Sequence, residues 1–111
     1  EPLLFLKPPT AVIGPGEEIR YPQEAGQVDF EAELAVIVKQ KVKKIHPHEA
    51  KQVILGYTCF NDVTARDLQR RDGQWTRAKG FDTFAPMGPS IVTDLDPTDL
   101  VIESRLNAAS S

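Results

Sequence analysis

A chain of 111 residues has room for one small domain, since domains mostly run from roughly 100 to 200 residues. Its 41% hydrophobic and 26% charged residues suit a soluble globular protein and exclude disorder throughout. A net charge of -3 leaves no basic footprint for DNA or RNA, no apolar run approaches the ~20 residues of a membrane span, and the opening residues lack the basic start and cleavage site of a signal peptide.

Residues 3–6 read as a short strand stopped by Lys7-Pro8-Pro9, because proline removes a ladder donor and restricts its predecessor. Residues 11–13 resume it, Gly14-Pro15-Gly16 marks a tight turn, and residues 19–21 suggest another brief strand. The most regular strand covers residues 29–39: Phe30, Ala32, Leu34, Val36 and Val38 make one apolar face, with Asp29, Glu31, Glu33, Ala35 and Ile37 on the other. The lysines of residues 39–44 then belong to an exposed hairpin or edge, where they deter strand pairing.

His46-Pro47-His48-Glu49 opens a helix of about two turns with Ala50, Val53, Ile54 and Leu55 as its buried stripe and Gly56 at its end. His46 and His48 flank a proline and are expected to face solvent. Residues 57–60 read as a strand in which Cys59, the single cysteine, is a small core thiol, pointing to a reducing compartment and the cytoplasm. A second short helix runs from Ala65 to about Arg71, ended near Gly73. Residues 80–89 form an ordered loop after Lys79, and two more strands cover residues 90–93 and 100–106.

Glu31 and Glu33, two apart on a strand, point the same way about 7 Å apart along the backbone, so their side chains can converge on one ion. Two carboxylates ~5 Å apart repel by roughly 3 kcal/mol at an effective dielectric near 20 and by under about 1 kcal/mol in water. Burial therefore separates a cation site from two surface glutamates. Asp62 likewise reads either as a helix cap, with Thr64 and Asp67 as rivals, or as a third ligand. Asp62, Arg66 and Gln69 fall near one helical face at spacings of four and three. All-oxygen ligation favours Mg, Ca or Mn over zinc. Lys79 is either a surface lysine beside a hydrophobic anchor or part of the same site.

Four stretches in order carry a resemblance: Phe5-Leu6-Lys7-Pro8; Val28-Asp29-Phe30-Glu31-Ala32-Glu33-Leu34-Ala35; Gly56-Tyr57-Thr58 through Asn61-Asp62-Val63-Thr64-Ala65-Arg66-Asp67-Leu68-Gln69; and Lys79-Gly80-Phe81-Asp82-Thr83-Phe84 with Pro86 and Gly88-Pro89. Together they resemble the fumarylacetoacetate hydrolase family across nearly the whole chain. The resemblance implies a mainly β fold with short helices (α+β), a mixed sandwich or roll of that family's C-terminal domain type, incomplete here, with residues 1–111 part of a single catalytic domain. It implies Mg2+ (or Mn2+ or Ca2+) held by Glu31, Glu33 and Asp62, catalytic Lys79 at the metal or a developing oxyanion, Arg66 and Gln69 on the substrate side, and Thr83 near metal-bound water. Homodimers are the usual assembly.

The activity implied is divalent-metal-dependent hydrolysis or isomerisation of small oxo-diacids: cleavage of acylpyruvate-type 1,3-dicarbonyls or isomerisation of hydroxymuconate-type substrates. The alternatives are an oxaloacetate decarboxylase or tautomerase and a catalytically silent binding or dimerisation domain of the same fold. The short connection between Gln69 and Lys79 leans towards bacterial aromatic catabolism. In hydrolytic members a histidine-glutamate base pair lies before the catalytic core, which here would precede Glu1, and His46 and His48 do not inherit that role. Later strands with a Thr-Gly-Thr-Pro loop are expected beyond the chain's end, and residues 108–111 depart from the family's Asn-Gly-Glu pattern.

Overall fold

In the computed structural model, which describes residues 1–107 and 109–110, the strands are β1 (Val12–Ile13), β2 (Val28–Asp29), β3 (Ala32–Val38), β4 (Ile54–Asn61), β5 (Thr64–Ala65), β6 (Ala85–Val92), β7 (Arg105–Leu106) and β8 (Ala109–Ser110). Two short helices, α1 (Arg66–Asp72) and α2 (Thr76–Gly80), sit between β5 and β6. Four strands make a mixed sheet in the order β1-β6-β4-β3. β1 runs parallel to β6, and β6, β4 and β3 are antiparallel neighbours. This is the mixed sheet with few helices that the family resemblance implies. No described helix is long and apolar enough to cross a membrane.

The pairing of β3 with β4 follows from their β-branched and aromatic content: Leu34 faces Cys59, Val36 faces Tyr57, and Ala32 faces Asn61 at the end of the ladder. Gly56 permits the close approach of β4 to β6, since a Cβ there would lie 2.5 Å from the carbonyl oxygen of Val92. At the other end of the sheet, Ala25, Val63, Ala65, Leu68, Ala78 and Phe84 form the buried core, with Val28 and Phe81 packed against it. α1 closes at Gly73, whose φ of 73° suits a residue without a Cβ. The core thus lies directly beneath the residues between β4 and α1.

Several expectations change in three dimensions. Residues 3–6 and 19–21 are irregular rather than strands; Phe5 packs edge-on against Trp75, and the Arg20 amide donates to Thr83 Oγ1 at 2.9 Å rather than to a ladder. The strand expected over residues 29–39 is broken at Phe30-Glu31, because the Glu31 amide donates to Asn61 Oδ1 and its carbonyl accepts from the Asp62 amide. Its apolar face is only partly covered: Val36 is 50% and Val38 58% exposed.

The helix expected from His46 is a 3-10 helix, Pro47–Val53. Ile54 and Leu55 leave it because pairing with β3 and β6 draws them into β4. Of residues 100–106 only Arg105–Leu106 is strand among those described. The strand expected at residues 90–93 begins earlier, at Ala85, so the second half of the loop expected after Lys79 is strand, and Lys79 itself lies on α2. Cys59 is exposed rather than in the core, since its position on β4 faces the uncovered side of the sheet beside Leu34.

Candidate metal centre

Glu31 and Asp62 meet because of register. Ala32 and Asn61 are the last pair of the β3–β4 ladder, so the next residue on each side, Glu31 and Asp62, stand opposite one another, joined by the 2.9 Å bond from the Asp62 amide to the Glu31 carbonyl. Glu33, two residues further on the same strand, joins them: one carboxylate oxygen from each of Glu31, Glu33 and Asp62 lies within 4.8 Å of the others. That spread is about twice a calcium–oxygen distance of ~2.4 Å and slightly more than twice the ~2.1 Å of magnesium. A small inward swing of the exposed Glu33 side chain therefore closes the set around a hard divalent cation, and the all-oxygen donors suit one.

Asp62 is the buried member, 3% exposed, and both of its oxygens meet lysines. Lys79 Nζ donates to Oδ2 at 2.7 Å, to Thr64 Oγ1 at 2.7 Å and, at the limit of 3.5 Å, towards Glu31 Oε2. The Thr64 hydroxyl, engaged by Lys79, gives its own proton to the Asp62 carbonyl at 3.0 Å. Lys79 is 2% exposed and lies against the Phe5 ring, 4.8 Å from its centroid, with Trp75 at 5.9 Å. Aromatic faces attract a cation in such positions.

Lys7 is the second lysine. Its Nζ donates to the carbonyls of Val63 at 2.8 Å and Phe84 at 2.6 Å and lies 2.9 Å from Asp62 Oδ1, in an ion pair without hydrogen-bond geometry. Burial pushes the Lys7 ammonium below its usual range, with Asp62 pulling the other way. Glu33 has no described partner, and partial burial, followed by the charges of Asp62 and Glu31, holds its carboxyl above the ordinary value. A cation among the three carboxylates would relieve that repulsion.

Arg66 extends the group outward. Its Nε donates to Asp29 Oδ2 at 2.9 Å, its Nη2 to Glu31 Oε2 at 2.7 Å and its Nη1 to Gln69 Oε1 at 2.9 Å. The hydrogen bond from Arg66 holds Asp29 below the usual carboxylate range.

Glu31, Glu33, Asp62, Lys79, Arg66 and Gln69 are thus brought into one network. Thr83, buried and at φ 72°, has its hydroxyl on the Arg20 amide. Neither Asp62 nor Thr64 caps α1, whose N-cap is Ala65 without a side-chain bond, and Asp67 instead accepts the amides of Gly26 and Gln27, both at 3.0 Å. Sequence reasoning missed Lys7 as a functional group, because a lysine before two prolines carries no local signal of burial 55 residues from Asp62. A cleft of about 410 Å³ between residues such as Pro15, Phe60 and Met87 contains none of these side chains, and another includes Glu33 alone of them, so donor chemistry rather than concavity locates the site.

Residues 1–110 match the family described as "Fumarylacetoacetate (FAA) hydrolase C-terminal". A solved structure of 2-hydroxyhepta-2,4-diene-1,7-dioate isomerase from Mycobacterium marinum is similar at 53% identity and a TM-score of 0.96, over 99% of this chain and 44% of that one. A fumarylacetoacetate hydrolase from Exiguobacterium antarcticum is similar at 40% identity and a TM-score of 0.92, over 97% of this chain and 40% of that one. The mitochondrial oxaloacetate tautomerase fahd2 of Xenopus laevis is 44% identical over 112 residues, covering 96% of this chain and 35% of its own length. The chain spans about half or less of the relatives it matches. With the fold, the motifs and these relatives in agreement, the chain belongs to the fumarylacetoacetate hydrolase family, an enzyme family of isomerases, hydrolases and tautomerases, as a stretch of its C-terminal domain.

Proposed function

We propose that this chain carries the cation-holding and substrate-orienting part of an active site for small oxo-diacids, acting by hydrolysis or isomerisation of acylpyruvate-type or hydroxymuconate-type substrates. The observation that supports it is the convergence of Glu31, Glu33 and Asp62 within 4.8 Å together with two lysines on the buried Asp62. Glu31, Glu33, Asp62 and Asp29 against Lys7, Lys79 and Arg66 leave one negative charge, which repels an oxo-acid; a divalent cation turns the balance positive and attracts one. The same three carboxylates would hold Mg2+, or Mn2+ or Ca2+. When bound, such an ion supplies Lewis-acid polarisation of the substrate's carboxylate and oxo oxygens.

The chain's own groups do the rest. Lys79, fixed by Asp62 and Thr64 against the Phe5 ring, holds a positive charge where water is scarce, the setting in which it best stabilises a developing oxyanion. Arg66 and Gln69 orient the polar end of the substrate, and Thr83 orients a water molecule. A second reading, tautomerisation of oxaloacetate, is favoured by the tautomerases of Xenopus laevis and Rattus norvegicus among the relatives. The same proposal includes a cytoplasmic homodimer, tested by sedimentation of the full-length protein.

Titration calorimetry with Mn2+ on the full-length protein is the direct test. One ion per chain in the wild type and none in Glu33→Ala is the expected result; no binding, or binding indifferent to that substitution, overturns the reading. Parallel assays of an acylpyruvate, oxaloacetate and a hydroxyhepta-dienedioate separate hydrolase, tautomerase and isomerase.

A further inference from the structure

The Arg66 guanidinium is tethered at three points, and the chemistry of the third has a consequence for recognition. Arginine carries donors only. The side chain that meets Nη1 must therefore present an acceptor, so Gln69 is held with Oε1 towards Arg66 at 2.9 Å and its carboxamide nitrogen turned the other way. That nitrogen has no partner among the described residues. Gln69 thus turns its two N–H donors to whatever approaches it, while its carbonyl oxygen stays on Arg66.

Asp29 is what fixes this polarity. Glu31 holds Nη2 at 2.7 Å and Asp29 holds Nε at 2.9 Å, so the guanidinium plane is pinned along two edges and the N–H groups of Nη1 are fixed in that plane, one of them on Gln69. Asp29 is itself set in place by β2, where it pairs with Thr64 of β5, by Gln27 Nε2 at 3.2 Å from each of its oxygens, and by the 2.7 Å bond from the Arg66 amide to the Gln27 carbonyl. In order, Glu31 and Arg66 separate Gln69 from the candidate cation position.

We propose that Asp29 is a positioning residue that acts through Arg66 to keep Gln69 donor-outward, selecting substrates with an acceptor oxygen, as on a second carboxylate, beyond the chelating head. The inference rests on the oxo-acid reading above and names which part of the substrate this edge of the site recognises. The pair Asp29–Arg66 is a quarter to a third exposed, so its effect is orientation rather than large stabilisation.

The test uses full-length wild type, Asp29→Asn, Gln69→Glu and the double variant, loaded with Mn2+. Oxaloacetate is the probe with a carboxylate beyond the head; oxalate, whose oxygens all sit on a two-carbon chelating head, has no group further out. Glutamate still accepts from Arg66 but turns a negative oxygen outward. Gln69→Glu should therefore raise the oxaloacetate KM by about tenfold or more, with oxalate affinity by calorimetry unchanged. Asp29→Asn should raise that KM a few-fold with a smaller change in kcat and the same oxalate affinity, and the double variant should be no worse than Gln69→Glu alone. Gln69→Met, which removes the donors without adding charge, repeats the comparison should Gln69→Glu not melt cooperatively.

A wild-type KM in Asp29→Asn, an effect of Asp29→Asn that multiplies in full with that of Gln69→Glu, or equal losses of oxalate and oxaloacetate each overturn the positioning role alone. Wild-type protein that binds Mn2+ but takes neither oxalate nor oxaloacetate overturns the oxo-acid reading and this inference with it.

Discussion

At the scale of single residues, Asp62 and Glu33 share one candidate role but stand in opposite energetic positions. Asp62 is buried between two lysines at 2.9 and 2.7 Å, and removing one partner from a buried ion pair costs ~3–5 kcal/mol because the survivor is left without compensation. Lys79→Met should fall near the low end of that range, since Lys7 keeps one Asp62 oxygen engaged; urea denaturation of the full-length protein reads it. Glu33 is exposed and has no described partner, so Glu33→Ala should change stability by no more than about 0.5 kcal/mol while abolishing cation binding. A variant pair in which Asp62 alone binds the ion, or in which Glu33→Ala unfolds the protein, would contradict the geometry. Glu31, Glu33 and Asp62 were all legible as candidates from their residue types and resemblance, whereas Lys7 was not, because its partners are carbonyls and a carboxylate brought to it only by folding.

Among the elements, the ladder of β3 with β4 does the assembling, and Gly56 lets β6 join it. Gly56→Ala places a methyl group 2.5 Å from a backbone oxygen, which cannot rotate away, and should destabilise by about 1–3 kcal/mol in the same urea measurement. The start of α1 is tied to the chain before β2 by Asp67, whose carboxyl is held below its ordinary value of 3.8 by the amides of Gln27 and Gly26. A depressed folded value means that the stabilisation is complete above the unfolded value and is lost as pH falls through the folded one. Asp67→Asn should therefore be less stable than wild type at neutral pH, with the two denaturation curves converging in acid below that range. Curves that stay parallel at all pH values would show that Asp67 carries no such clamp.

For the whole molecule, burial is uneven: β3 carries an uncovered row. Val36 and Val38 expose half or more of the surface they could, while the best-buried residues gather under the candidate site. Since the chain spans about half or less of its relatives' length, measurements on the site belong with full-length protein. A cation that binds only the folded form should stabilise it by about 2.7 kcal/mol at a hundredfold excess over its Kd. Thermal melts with and without Mg2+ or Mn2+ should show an upward shift in wild type that Glu33→Ala lacks, and equal shifts in both would place the ion elsewhere.

Residue type and periodicity determined the short helix at α1 and its glycine stop, the β character of β3 and β4, and, through motif resemblance, the family and the identity of its acidic residues. They left open whether Glu31 and Glu33 were surface groups and whether Asp62 was a cap. Only the tertiary structure decided that: the end of one ladder sets Glu31, partly buried, opposite Asp62, Asp62 is buried beside Lys7 and Lys79 rather than capping α1, and Glu33 stays exposed. The break at Phe30-Glu31, the short 3-10 helix before β4 and the exposure of Cys59 were decided there too. Each depends on which distant backbone groups and faces are covered, a property that no local pattern encodes.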